Sequence, residues 1–172
     1  MILVGMGANL SGKWGTPEET LFRAIKALEQ AGIVIVQQSQ LVVSMPLGRG
    51  RQGVYNNGVL QVASHLPPEA FLHRLHGIEY QAGRRRGVRW RSRVLDLDLL
   101  EWNGVIRHTP GVEKSSGFIP LTLPHPGIAK RPFVLAPLAE IAPRWHHPQN
   151  GLTPVQMLKA LRTSGEGRIL DQ

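Results

Sequence analysis

Apolar positions recur along the chain at two spacings, and the order in which they alternate sets the expected architecture. Ile2 to Met6 is a short apolar run closed by Gly7-Ala8-Asn9, which predicts a buried strand. Thr16-Pro17-Glu18-Glu19 carries a helix start: Thr16 as cap, Pro17 at the first helical position and Glu19 closing a capping box. Leu21, Ile25 and Leu28 follow at helical spacing, and Gly32 ends the helix. Ile33 to Met45 is rich in β-branched residues and reads as a second strand, followed by a loop from Pro46 to Gly53. Val54 to Ala63 reads as a third strand. Pro67 and Pro68 open a second helix with Phe71, Leu75 and Ile78 on its buried stripe and Gly83 at its end.

A basic loop, Gly83 to Arg93, leads to a fourth strand from Val94 to Trp102, and Asn103-Gly104 is a hairpin-turn signal. Arg107 to Pro126 is mostly loop. Arg131 to Glu140 and Thr153 to Arg162 suggest two more short helices, with residues 163–172 a frayed tail. The order β-α-β-β-α-β predicts an α+β, ferredoxin-like fold: an antiparallel sheet with helices packed on one face, plus a C-terminal helical extension. No repeat or linker divides the chain, so residues 1–172 are expected to form one domain.

Composition narrows the chemistry. The 172 residues contain no cysteine, which excludes a disulfide scaffold, a zinc–thiolate site and a cysteine nucleophile. The apolar start is too short for a signal peptide, and no run approaches a spanning helix, so a cytoplasmic protein without membrane contact is expected. The net charge is +8, and it is not evenly spread: Arg84, Arg85, Arg86, Arg89, Arg91 and Arg93 crowd one loop. A guanidinium cluster of this kind suits bidentate contact with phosphate.

Next to it stands Arg93-Val94-Leu95-Asp96-Leu97-Asp98-Leu99-Leu100. Residues two apart on a strand share a face, so Asp96 and Asp98 point the same way with Cα atoms about 6.6 Å apart. Leu95, Leu97 and Leu99 point to the other face and anchor the strand. Two fixed carboxylates suit a hard cation such as Mg²⁺, whose remaining ligands would be water and substrate phosphate. Beside six arginines, they outline a polyphosphate site. Gly5 and Gly7 are not a dinucleotide fingerprint, because the third spaced glycine is missing. His146 and His147 have no further ligands at zinc spacing.

Leu75-His76-Gly77-Ile78-Glu79-Tyr80-Gln81-Ala82-Gly83-Arg84-Arg85-Arg86 and Arg89-Trp90-Arg91-Ser92-Arg93 through Leu100 resemble the 6-hydroxymethyl-7,8-dihydropterin pyrophosphokinases of folate biosynthesis. Gly7-Ala8-Asn9-Leu10, Leu123-Pro124-His125-Pro126, Arg131 to Leu135 and Pro137 to Pro143 extend the resemblance in the same order. The resemblance implies a ferredoxin-like enzyme that transfers pyrophosphate from ATP to the pterin hydroxymethyl group and releases AMP. It implies that Asp96 and Asp98 hold two Mg²⁺ ions, and that Arg84 and Arg86 are catalytic arginines of a mobile loop. Glu79, Arg84, Trp90, Arg93, His125 and Arg131 become ATP-site residues. Ser44, Met45, Leu47 and Asn56 become pterin-site residues, with Phe133 stacking on the ring. The substrates would be ATP and 6-hydroxymethyl-7,8-dihydropterin, with no nucleic-acid partner, and the chain is expected to be a monomer. The sequence departs from the family in having Arg91-Ser92 where Gly-Pro is usual. Tyr55 stands one position from the expected second stacking aromatic, so it is not assigned that role. No side chain of the motif is assigned as a general base.

A basic ferredoxin-like domain could instead bind nucleic acid, or use Asp96 and Asp98 as a metal-dependent nuclease. Against the first, aromatic residues are only 6% of the chain, too few for a base-stacking sheet. The two acids beside the basic loop would also repel a nucleic-acid backbone unless a metal intervened.

Overall fold

The computed structural model describes residues 1–47, 53–84, 93–108, 120–161 and 167–170. Five strands and two helices form the main body: β1 Ile2–Ala8, α1 Pro17–Gln30, β2 Val34–Gln38, β3 Val42–Ser44, β4 Tyr55–Ala63, α2 Pro68–Gln81 and β5 Asp96–Trp102. The sheet order is β2-β4-β1-β5 with β3 also on β4, and every pairing is antiparallel. This is the expected split βαβ arrangement, with the two halves interleaved so that β1 and β4 lie at the centre. The Thr16 capping box is present: Glu19 N–H donates to Thr16 Oγ1 at 3.3 Å and Thr16 N–H donates to Glu19 Oε2 at 2.8 Å. Among the described residues, no helix is long and apolar enough to cross a membrane.

The sheet is covered on both faces, not one. Val4, Met6, Leu60, Val62, Leu97 and Leu99 pack with α1 and α2. Leu3, Val59 and Leu100 pack on the opposite face with α3 (Pro132–Ile141) and α4 (Pro154–Ala160). The C-terminal extension is therefore a third layer, and β1 is buried at all seven positions for that reason. Toward its end β1 presents Gly5 and Gly7 to the α3 side, opposite Asp98 and Asp96 of β5. With no side chains there, the third layer leaves an opening above the sheet.

Three expectations change in detail. The second strand is two strands, because Ser39 interrupts the ladder: its N–H donates to Val59 O and its hydroxyl accepts from Val59 N–H, both at 3.0 Å. The Asn103-Gly104 turn forms, with both residues at positive φ. Yet the strand after it, β6 (Arg107–His108), pairs with β7 (Thr122–Leu123) and not with β5. Finally, residues 167–170 are not frayed: Leu170 N–H donates to Val43 O at 2.8 Å, and Met45 N–H donates to Arg168 O at 2.9 Å. A free strand edge offers unpaired backbone groups, and this segment takes them.

Candidate functional site

A cavity of about 280 Å³ opens where the two glycines leave the sheet uncovered. Its floor is Gly5 and Gly7, with the backbone of Gly58 beside them. An added Cβ at Gly7 would stand 3.1 Å from Asn57 Oδ1, and one at Gly5 would stand 3.3 Å from Leu100 Cδ2. The glycines thus keep the floor at backbone level.

Asp96 and Asp98 both line this cavity, as the alternation of β5 requires, while Leu95, Leu97 and Leu99 lie in the core behind them. Arg93, His125 and Arg131 line the same end. Asp96 takes Arg84 Nη1 at 2.9 Å and pairs closely with Arg93. Asp98 takes Arg131 Nη1 at 3.2 Å and faces His125 Nε2 at 3.9 Å. Gly127 N–H donates to His125 Nδ1 at 2.9 Å, so in the neutral ring the proton sits on Nε2, toward Asp98. Burial lowers the His125 pKa, opposed by Asp98. Burial also works against the charge on Arg93, but Asp96, Asp98 and Glu79 together hold its pKa above the ordinary value.

Arg93 is placed by Asn9, a buried residue at the end of β1. Asn9 N–H donates to Arg93 O at 3.1 Å, and Asn9 Oδ1 accepts from Arg93 N–H at 2.8 Å. Sequence reasoning gave Asn9 no role. Its position just after a buried strand and its doubly bonding amide were the available signals.

The other end of the cavity is lined by Ser44, Met45, Leu47, Tyr55, Asn57 and Phe133. Two of these correct the sequence reading. Asn56 does not line the cavity; it pairs with Ala8, whereas Asn57 pairs with Gly7 and shares its face. Leu60 and Val62 pack in the helix-side core, so the odd positions 55, 57 and 59 face the opposite way. The same alternation brings Tyr55 into the cavity. The Asn57 amide donates to the buried Ser44 hydroxyl at 2.9 Å and so ties β4 to β3. Burial raises the Tyr55 pKa, opposed by Arg93.

Glu79 is also not in the cavity. It projects from α2 behind β5, is buried, accepts the Leu97 N–H at 2.8 Å and pairs closely with Arg84. Arg84 therefore links Glu79 to Asp96. Arg86 and Trp90 lie outside the described residues.

Among the described residues, no three His, Cys, Asp or Glu side chains gather as a metal cage. Asp96 and Asp98 above a glycine floor do fit a hard, oxygen-seeking cation that keeps water or phosphate in its other positions, the habit of Mg²⁺. The cavity thus has one end of charged groups suited to phosphate and metal, and another with two aromatic rings and amide and hydroxyl groups suited to a flat polar heterocycle.

Proteins named 2-amino-4-hydroxy-6-hydroxymethyldihydropteridine pyrophosphokinase match over most of their length. The one from Synechocystis is 36% identical over 158 residues, covering 91% of this chain and 74% of its own. That from Haemophilus influenzae is 37% identical over 141 residues, covering 81% and 79%. That from Pseudomonas aeruginosa is 33% identical over 169 residues, covering 98% and 96%. The sequence model of one family matches residues 3–143, a span that holds both carboxylates and both cavity aromatics, and the chain belongs to that family, 7,8-dihydro-6-hydroxymethylpterin-pyrophosphokinase (HPPK).

Proposed function

We propose that this chain transfers the terminal pyrophosphoryl unit of ATP to the hydroxymethyl group of 6-hydroxymethyl-7,8-dihydropterin, giving the pterin diphosphate and AMP. The observation that carries the reading is the two-ended cavity. Asp96 and Asp98 lie with Arg93, His125 and Arg131 at one end, and Tyr55, Asn57 and Phe133 at the other. A nucleotide triphosphate at the charged end and a pterin at the aromatic end would meet over the glycine floor.

In the transfer, the pterin hydroxyl oxygen bonds to the β-phosphorus, the bridging bond to the α-phosphate breaks, and the hydroxyl proton is lost. The chain's contribution is to hold the two reactants in line and to meet the phosphate charge. Tyr55 and Phe133 would clasp the ring faces, while the Asn57 amide and the Met45–Leu47 backbone would meet its polar edge. Arg93 and Arg131 would meet phosphate oxygens. Arg84, now bridging Glu79 and Asp96, has a guanidinium close enough to join them. His125 would offer its Nε2 proton to phosphate. Asp96 and Asp98 would hold two Mg²⁺ ions, which when bound would screen the phosphates and lower the pKa of the attacking hydroxyl.

Incubation of the chain with ATP, Mg²⁺ and 6-hydroxymethyl-7,8-dihydropterin should yield AMP and the pterin diphosphate in equal amounts. Formation of ADP, or ATP consumption that does not depend on the pterin, would refute the reading.

A further inference from the structure

Beyond residue 143, where the family match ends, the chain returns to the sheet beside the aromatic end of the cavity. Ser44 and Ile169 form an antiparallel bridge, closed by the hydrogen bonds Leu170 N–H to Val43 O and Met45 N–H to Arg168 O. β3 is only three residues long, and it is held between β4 and this returning segment. Its continuation supplies Met45 and Leu47 to the cavity wall.

Gly167 makes the second contact. It is buried at φ +69, and a Cβ there would stand 2.9 Å from Leu47 Cδ2 and 3.0 Å from Phe133 Cε1. The backbone therefore lies directly against two side chains of the aromatic end. A side chain at 167 would have to displace one of them, and its left-handed backbone would be strained as well. At the charged end, by contrast, Asp96 and Asp98 are engaged by Arg84, Arg93, His125 and Arg131.

We infer that residues 167–170 are a positioning strap for the acceptor end of the site: they fix the Phe133 ring and the Met45–Leu47 edge before substrate arrives, and so set affinity for the pterin and not for the nucleotide. This rests on the reading of the cavity given above. A wall ordered in advance need not be ordered at the cost of binding energy, so loosening it weakens the ligand that touches it.

The test uses the full chain with Gly167→Ala. Gly151→Ala is the control, because Gly151 has the same φ of +69 but nothing within 4 Å of an added Cβ. Leu170→Pro is a second variant, which deletes the N–H that meets Val43 O. Equilibrium binding of 6-hydroxymethyl-7,8-dihydropterin and of ATP is measured for each, with KM for both substrates. Gly167→Ala and Leu170→Pro should weaken pterin binding about tenfold and change ATP binding less than about twofold, while Gly151→Ala alters neither. Parent-like pterin affinity in both strap variants overturns the inference, as does an equal loss for both substrates. If the parent chain binds ATP but no pterin, the functional reading fails and the strap inference falls with it. If the parent binds both and the strap variants are unaffected, the strap inference alone fails.

Discussion

Glu79 on α2 accepts the backbone N–H of Leu97, the residue that separates the two cavity aspartates on β5, at 2.8 Å. β5 is an edge strand, and this buried carboxylate meets its open side just where Asp96 and Asp98 must be held apart. The Glu79 carboxyl is pushed up to about 7, chiefly by burial, against the opposing pull of Arg84 and the Leu97 N–H. The folded chain therefore keeps a proton between the ordinary carboxyl pKa and about 7 that the unfolded chain gives up. Stability linked to Glu79 is fully present below the unfolded pKa and is lost as pH rises through about 7. Glu79→Gln retains an acceptor for Leu97 without that loss. Unfolding free energies in urea across a pH series should shift in the variant's favour by up to about 3 kcal/mol between about pH 4.5 and pH 8. A difference that stays flat with pH would show that Glu79 does not titrate there.

Asn57, and not its neighbour, should govern the pterin. Its amide is tied to the Ser44 hydroxyl at 2.9 Å, and it lines the cavity beside Tyr55. Asn57→Ala should raise the pterin KM more than about tenfold, whereas Asn56→Ala should change it less than about twofold. Steady-state kinetics with ATP held saturating make the comparison. Equal effects from the two substitutions would contradict the strand register as the basis of recognition.

That pair also marks the limit of what the sequence discloses. Strong periodic signals carried through to the structure: the Thr16 capping box, the alternation that puts Asp96 and Asp98 on one face, and the strand and helix order that yields the sheet. Strand parity could not be settled at Asn56-Asn57, where two identical residues stand side by side and the preceding loop gives no frame. The buried Leu60 and Val62 of the same strand held the answer, but only once their face was known. The break at Ser39 was hidden because a hydroxyl replaces a backbone acceptor without disturbing the hydrophobic pattern. Residues 167–170 carry no periodicity, and their order comes from hydrogen bonds to a strand more than a hundred positions earlier. Glu79 and Asn9 act through backbone groups of distant residues, which residue spacing does not record.

Ser39 offers a test of that strand break. Its buried hydroxyl accepts from the Val59 N–H at 3.0 Å and donates to Gln40 O at 2.8 Å. Ser39→Ala leaves a fully buried N–H without its acceptor and should cost about 2 kcal/mol of stability by denaturant unfolding. Ser64, whose hydroxyl accepts from the Leu66 N–H at 3.2 Å in a more accessible turn, is the control. Ser64→Ala should cost less than about 0.5 kcal/mol. Equal costs would mean that the Ser39 hydroxyl does not hold the ladder at Val59.

The aspartate pair separates folding from chemistry. Each carboxylate already has a cationic partner within the chain: Arg84 and Arg93 at Asp96, and Arg131 at Asp98, which also faces the His125 ring. The fold does not need a metal ion to neutralise them, so a chelator should stop transfer while shifting Tm by less than about 2 °C. Asp96→Asn and Asp98→Asn should each lower kcat by about a thousandfold, because the facing arginines, and the Mg²⁺ ions proposed above, would lose their anchor. Both aspartates are partly exposed at the cavity, so the variants should melt close to the parent. A large fall in Tm on chelation would instead make the metal a structural element. Near-parent kcat in both variants would remove Asp96 and Asp98 from the phosphate end of the reaction.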